Sequence, residues 1–131
     1  MEERDVDKAA ISQEMVHEFV RVAHGDLARV QALLAQEPGL VNASWDWGGG
    51  DWETALGAAA HTGQVAIAAH LLAHGARMDI FCAVMMGKIE IVKAYLADNP
   101  GVAQARGPHG ISLKQHAIVG QQEAILELLG V

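Results

Sequence analysis

Gly63-Gln-Val-Ala-Ile-Ala-Ala-His-Leu71-Leu72 and Gly87-Lys-Ile-Glu-Ile-Val-Lys-Ala-Tyr95-Leu96 follow one pattern: a glycine, then nine residues later the leucine that closes an apolar pair. The pattern returns in Gly25-Asp-Leu-Ala-Arg-Val-Gln-Ala-Leu33-Leu34 and in Gly120-Gln-Gln-Glu-Ala-Ile-Leu-Glu-Leu128-Leu129. The glycines are separated by 38, 24 and 33 residues, and the closing leucines repeat those intervals. Two independent markers thus agree on an internal repeat. Within each segment the apolar positions fall at helical spacing, which predicts a helix after a glycine turn.

A shorter amphipathic stretch precedes each of the last three glycines, at 54–61, 79–86 and 111–118. Thr54, Asp79 and Ser112 stand where a helix N-terminus needs a side-chain oxygen for its free amides. The unit is therefore helix, tight turn, helix. Residues 5–23, with Ile11, Met15, Phe19, Val20 and Val22 as apolar positions, predict an extended N-terminal cap helix.

These units resemble the ankyrin repeat. Thr54-Ala55-Leu56-Gly57 stands where that family has Thr-Pro-Leu-His, and Ala59-Ala60-His61-Thr62-Gly63 matches its Ala-Ala-x-x-Gly. Gly75-Ala76 corresponds to the family's Gly-Ala-Asp end, and Gly87-Lys88-Ile89-Glu90-Ile91-Val92 to its second-helix start. The resemblance implies an all-α ankyrin-repeat solenoid of helix-turn-helix pairs, one domain over 1–131, with repeats near 5–43, 44–76, 77–105 and 106–131. Against a family period of about 33 residues, the first interval is too long and the second too short. The excess is Trp45-Asp-Trp-Gly-Gly-Gly-Asp-Trp52, and the deficit lets Arg77-Met78 pass almost directly into the next helix. The expectation is one enlarged finger loop beside one truncated repeat, and hence a notch.

Composition agrees with a close-packed helical stack. Of 131 residues 51% are hydrophobic and only 5% aromatic, and 23 are alanines. One cysteine excludes an internal disulfide and every multi-Cys zinc pattern. No apolar run approaches the length of a membrane span, and the opening MEERDVDK is too acidic for a signal peptide. The expectation is a cytoplasmic protein. Residues 1–53 hold eleven Asp/Glu against four Lys/Arg, whereas 54–131 hold five of each. An acidic half makes nucleic acid and anionic membranes poor partners and favours a protein segment or a small basic or neutral ligand.

All three tryptophans, Trp45, Trp47 and Trp52, lie in the long loop with Asp46, Asp51 and Glu53. They either fill the space left by the missing finger or form a box of aromatic faces and carboxylates for a cation. Gly48-Gly49-Gly50 lacks the Gly-Lys-Ser/Thr of a phosphate loop. By the ankyrin resemblance, Asp51, Glu53, His61, Thr62, Met85, Met86, Pro108, His109 and Ile118 line the binding face, with His24 as the equivalent from the first repeat. A pair of Asp51 or Glu53 with His61, flanked by His24 and His109, suits proton transfer. The resemblance instead favours a non-catalytic binding module.

His70 and His74 sit one helical turn apart without a third ligand, and His17 and His24 two turns apart; both pairs read as solvated faces rather than metal sites. No metal and no cofactor is expected. Cys82 reads as a buried, inert thiol, and His116 as a packed histidine bonded to a neighbouring loop carbonyl. The apolar end Leu128-Leu129-Gly-Val131 allows a monomer or a weak end-to-end dimer.

Overall fold

The computed structural model describes residues 8–130. Eight helices run in four pairs: α1 (Gln13–Val22) with α2 (Leu27–Gln36), α3 (Ala55–His61) with α4 (Val65–Ala73), α5 (Ile80–Met85) with α6 (Ile89–Asp98), and α7 (Leu113–Val119) with α8 (Glu123–Leu128). Two short strands, β1 (Ser44–Asp46) and β2 (Trp52–Thr54), join the first pair to the second. The chain is mostly helical with a small two-stranded sheet. Among the described residues no helix is long and apolar enough to cross a membrane.

Each first helix begins on a side-chain cap. Ser12 accepts from the amide of Met15, Thr54 from Gly57, Asp79 from Cys82 and Ser112 from Gln115. The cap at Ser12 also corrects the expected extended N-terminal helix: α1 starts at Gln13 and has the same ten residues as α2. Residues 5–7 of that expected helix lie outside the described residues. Ile11, ahead of the cap, still packs on the core.

Alanine sets the spacing of the stack. Ala55, Ala58, Ala59 and Ala60 are fully buried in α3, which contacts α1 on one side and α5 on the other. Small side chains let three helix backbones approach closely, burying a face that no single pair can bury. One core cluster runs from Phe19 and Leu33 through Leu56, Ile67 and Leu71 to Met85, and a second gathers Ile80, Val84, Val92, Leu113 and Ile125.

In the second, third and fourth pairs the turn between helices carries a left-handed residue just before the second helix. Gly63 (φ 68°) and Gly87 (φ 74°) supply it, but in the fourth pair Gln121 (φ 57°) takes that place. The expected marker, Gly120, is one position early and serves another purpose. A Cβ on it would collide with the backbone carbonyl of Met85, so glycine is there to let α7 close on α5. Gln122 then donates from Nε2 to the Met85 carbonyl at 3.2 Å.

The enlarged finger is a β-hairpin. Ser44 pairs with Thr54, Trp45 with Glu53 and Asp46 with Trp52. Gly48, Gly49 and Gly50 all have positive φ (140°, 65° and 91°), a run that only glycine adopts without strain. The Asp46 carboxylate accepts from the amides of Gly48 and Gly50 at 2.8 and 2.9 Å and closes the loop. The truncated connector after α4 is tied to the first pair by Asn42, which donates to Gly75 O and accepts from Arg77 N.

Gly120→Ala is expected to destabilise the chain by about 2–3 kcal/mol, because backbone cannot yield as a flexible side chain does. Urea unfolding measures this; Gly49→Ala, where a Cβ meets open space but φ is positive, is expected to cost about 1 kcal/mol.

Candidate functional site

Alternation along the hairpin decides which side chains turn inward. Trp45 and Glu53 are cross-strand partners and share one face, while Asp46 and Trp52 share the other. The inner face lies against α1 and α3. Trp45 stacks on His17 with ring centroids 4.7 Å apart, and the Trp47 ring lies 5.3 Å from His17, 6.1 Å from His24 and 6.0 Å from His109. Trp52 faces out and remains 60% exposed. The three rings therefore divide between packing and surface and do not form one box.

Glu53 is the buried centre of the inner face, 1% exposed. Its Oε1 accepts from Trp47 Nε1 at 2.9 Å and lies 3.2 Å from His24 Nε2. Its Oε2 lies 3.0 Å from His61 Nε2 and 3.3 Å from His109 Nε2. Neither of these last two contacts is aligned as a hydrogen bond, so Glu53 Oε2 and His61 Nε2 are shut from solvent without a directed partner. Burial alone would raise the Glu53 carboxyl. The polar contacts and charge of His24 and His61 outweigh it and hold the group at about 2. Glu53 in turn raises His24 above the ordinary imidazole value, against the opposing effect of burial.

Each imidazole is held by a different element. His24 follows α1, and its Nδ1 lies 3.0 Å from the carbonyls of Val20 and Arg21. Carbonyls only accept, so Nδ1 carries the proton and donates to the free end of the helix. His61 is the last residue of α3. His109 stands in the loop before α7, in a left-handed conformation (φ 62°). Asp51, at the hairpin end, takes both its amide and its Nδ1 at 2.7 Å. The His109 amide, more than its ring, holds the Asp51 carboxyl below the usual range.

The two departures from the repeat period are thus complementary. The long hairpin reaches the loop before α7 and joins it through Asp51 and His109, 58 residues apart. Between them remains a notch of about 330 Å³, lined by Asp51, Trp52, Asp79, Phe81, Arg106 and Pro108 among others.

Of the site residues expected from sequence, Trp47, Asp51, Glu53, His61 and His109 come together. The expected carboxylate–imidazole pair exists as Glu53 with His61, whereas Asp51 serves His109. Trp45 borders the group through His17. Thr62 turns back and donates to Ala58 O at 2.6 Å. Met85 is fully buried; as the last residue of α5 it packs into the core with Leu56, Ile67 and Leu71 and offers no surface, which corrects its place on the binding face. His17 and His24 do not form a solvated face: His17 within α1 and His24 just past its end both point to the hairpin. That alignment was visible in their spacing, but the hairpin's position over α1 was not.

The remaining histidines stand apart. His70 and His74 lie against each other, ring centroids 4.2 Å apart and tilted by 34°. His116 is buried against Phe81 with its Nδ1 on Ser112 O at 2.7 Å, so the carbonyl it bonds belongs to its own helix start and not to a neighbouring loop. Burial pushes the Cys82 thiol up to about 12, which makes it unreactive.

Trp47→Phe removes the one aligned donor to Glu53 and is expected to lower stability by about 1–2 kcal/mol in urea unfolding, while Trp52→Phe changes it little. The pH dependence has a definite sign. Glu53 titrates near 4.5 when unperturbed and about 2 when folded, so its stabilisation is complete above 4.5 and drains away as pH falls toward 2. Glu53→Gln should flatten that part of the acid unfolding curve.

Comparison with protein-family models, with curated proteins and with solved structures gives no significant match to this chain, so its function has to be read from the chemistry of these residues.

Proposed function

We propose that the chain is a small ankyrin-like repeat domain that acts as a non-catalytic binding module of the cytosol, taking an extended protein segment into the notch beside the hairpin. The observation that carries the reading is Trp52, which is 60% exposed at the edge of that notch in a chain with few aromatic residues. An exposed indole on a well-fixed strand is the kind of anchor on which binding energy concentrates. Four helix pairs whose first helices stack in order support the ankyrin-like reading, and a single buried thiol suits a reducing compartment.

The notch offers apolar and polar contacts together. Phe81 and Pro108 give it hydrophobic walls, while Asp51 and Asp79 bring negative charge and Arg106 one positive charge. Asp51 is already committed to His109 and Asp79 to the Cys82 amide. The segment best matched is neutral or mildly basic with an apolar side chain to lie against Trp52.

Proton-transfer catalysis by Asp51, Glu53 and His61 has less support. Both ring nitrogens of His24 and of His109 already face a partner within the cluster or in the backbone. Glu53 is closed off beneath the rings, so no free base faces the notch.

Selection from a displayed library of random peptides, followed by titration of the recovered peptides, tests this. Trp52→Ala should weaken their binding at least about tenfold while the urea midpoint stays unchanged, and Tyr95→Ala on α6 should leave binding intact. Recovery of no binding peptide, or of peptides indifferent to Trp52, would overturn the reading.

A further inference from the structure

Three imidazoles and one carboxylate converge in a way that the binding of a peptide does not use. His24, Glu53, His61 and His109 each present one donor atom, and these four atoms all lie within 4.8 Å of one another. They come from the end of α1, from β2, from the end of α3 and from the loop before α7. The chain folds three helix pairs around this point.

The protons explain what the point lacks. The Nδ1 of His24 donates to backbone carbonyls, and that of His109 to the Asp51 carboxylate. In the neutral ring only one nitrogen bears hydrogen, so both residues turn Nε2 inward, as a lone pair whenever the ring is neutral. His24 Nε2 lies 3.2 Å from Glu53 Oε1 and His109 Nε2 3.3 Å from Oε2, while Oε2 and His61 Nε2 are buried with no aligned partner. A carboxylate facing three imidazole nitrogens at 3.0 to 3.3 Å calls for a positive charge among them, which ring protons or one bound cation supply.

The surroundings are those that orient metal ligands. A ligating histidine commonly donates its other N–H to a carboxylate or a backbone carbonyl, which fixes its tautomer and direction. Asp51 does this for His109, and Val20 and Arg21 do it for His24. Trp47 donates to Glu53 Oε1, which also faces His24, and Oε2 is left toward His61 and His109. Glu53 itself is nine-tenths buried and more, as a ligand aimed into an enclosed site requires.

We propose that His24, Glu53, His61 and His109 form a binding site for one first-row divalent transition-metal ion. Imidazole-rich donors suit zinc, iron, nickel or copper, and a single carboxylate among three nitrogens disfavours calcium and magnesium. Such ions hold nitrogen and oxygen donors at about 2.0–2.2 Å, hence about 3.3–3.6 Å from one another in a tetrahedral set, so donor atoms separated by up to 4.8 Å have to close by roughly 1 Å on binding. The ion ties the hairpin to α1, α3 and the 106–112 loop, on the opposite face of β2 from Trp52. The proposal is independent of peptide capture at the notch.

The test uses the full chain stripped by a chelator and titrated calorimetrically with Zn²⁺ at pH 7.5. One ion per chain is expected, and Co²⁺ in its place should give the intense visible bands of a low-symmetry site. His61→Ala and His109→Asn should each weaken Zn²⁺ binding at least about 30-fold, and Asp51→Asn about tenfold through the orientation of His109. His109→Asn keeps a residue that tolerates the left-handed backbone, so it remains informative if His61→Ala does not fold. The double change of His70 and His74 to Ala should alter nothing. No uptake of Zn²⁺ by the wild-type chain would overturn the proposal, as would uptake that survives both His61→Ala and His109→Asn or one that vanishes with His70 and His74. Peptide binding through Trp52 is read separately and stands or falls on its own.

Discussion

A carboxylate withdrawn from water must find charge or donors where it goes, and in this chain that requirement fixes the architecture around Glu53. Its side chain is fully enclosed, yet it is held at about 2. One indole and three imidazoles surround it. Removing one partner of a buried charge costs more than the contact itself is worth, because the charge is left behind. The hairpin, the ends of α1 and α3, and the loop before α7 are therefore coupled through one residue. Alanine packing brings the helices close; Glu53 decides how the hairpin lies on them.

The two irregularities of the repeat are best understood together. The connector after α4 is short, and the long hairpin from the preceding connection reaches His109 in the loop before α7. Strand alternation then separates two surfaces only one residue apart. Glu53 looks into the stack with Trp45 and Trp47, and Trp52 looks out over the notch. One hairpin thus carries an enclosed polar cluster on one face and an open aromatic contact on the other.

Much of this was legible in the sequence because it is local. Thr54, Asp79 and Ser112 cap the helices they precede, and the repeat of glycines and leucines placed the four pairs. What escaped depends on contacts distant in the chain. Gly120 looked like the turn residue of the fourth pair, but its lack of a side chain answers to the Met85 carbonyl, and Gln121 makes the turn. His17 and His24 looked solvated because nothing nearby in sequence announces that the hairpin folds over α1. Asp51 looked like a partner for His61, which is ten residues away, and found His109 instead. Met85, expected on the binding face, packs wholly inside the core.

The orientation of the imidazoles is the claim on which the account most depends. Long-range proton–nitrogen spectra of the ¹⁵N-labelled, chelator-treated chain report directly which ring nitrogen carries hydrogen. The account predicts that His24 and His109 both hold a proton on Nδ1, bonded to the end of α1 and to Asp51, with Nε2 turned toward Glu53. Rings protonated on Nε2 alone, or averaging between tautomers as free surface histidines do, would contradict it.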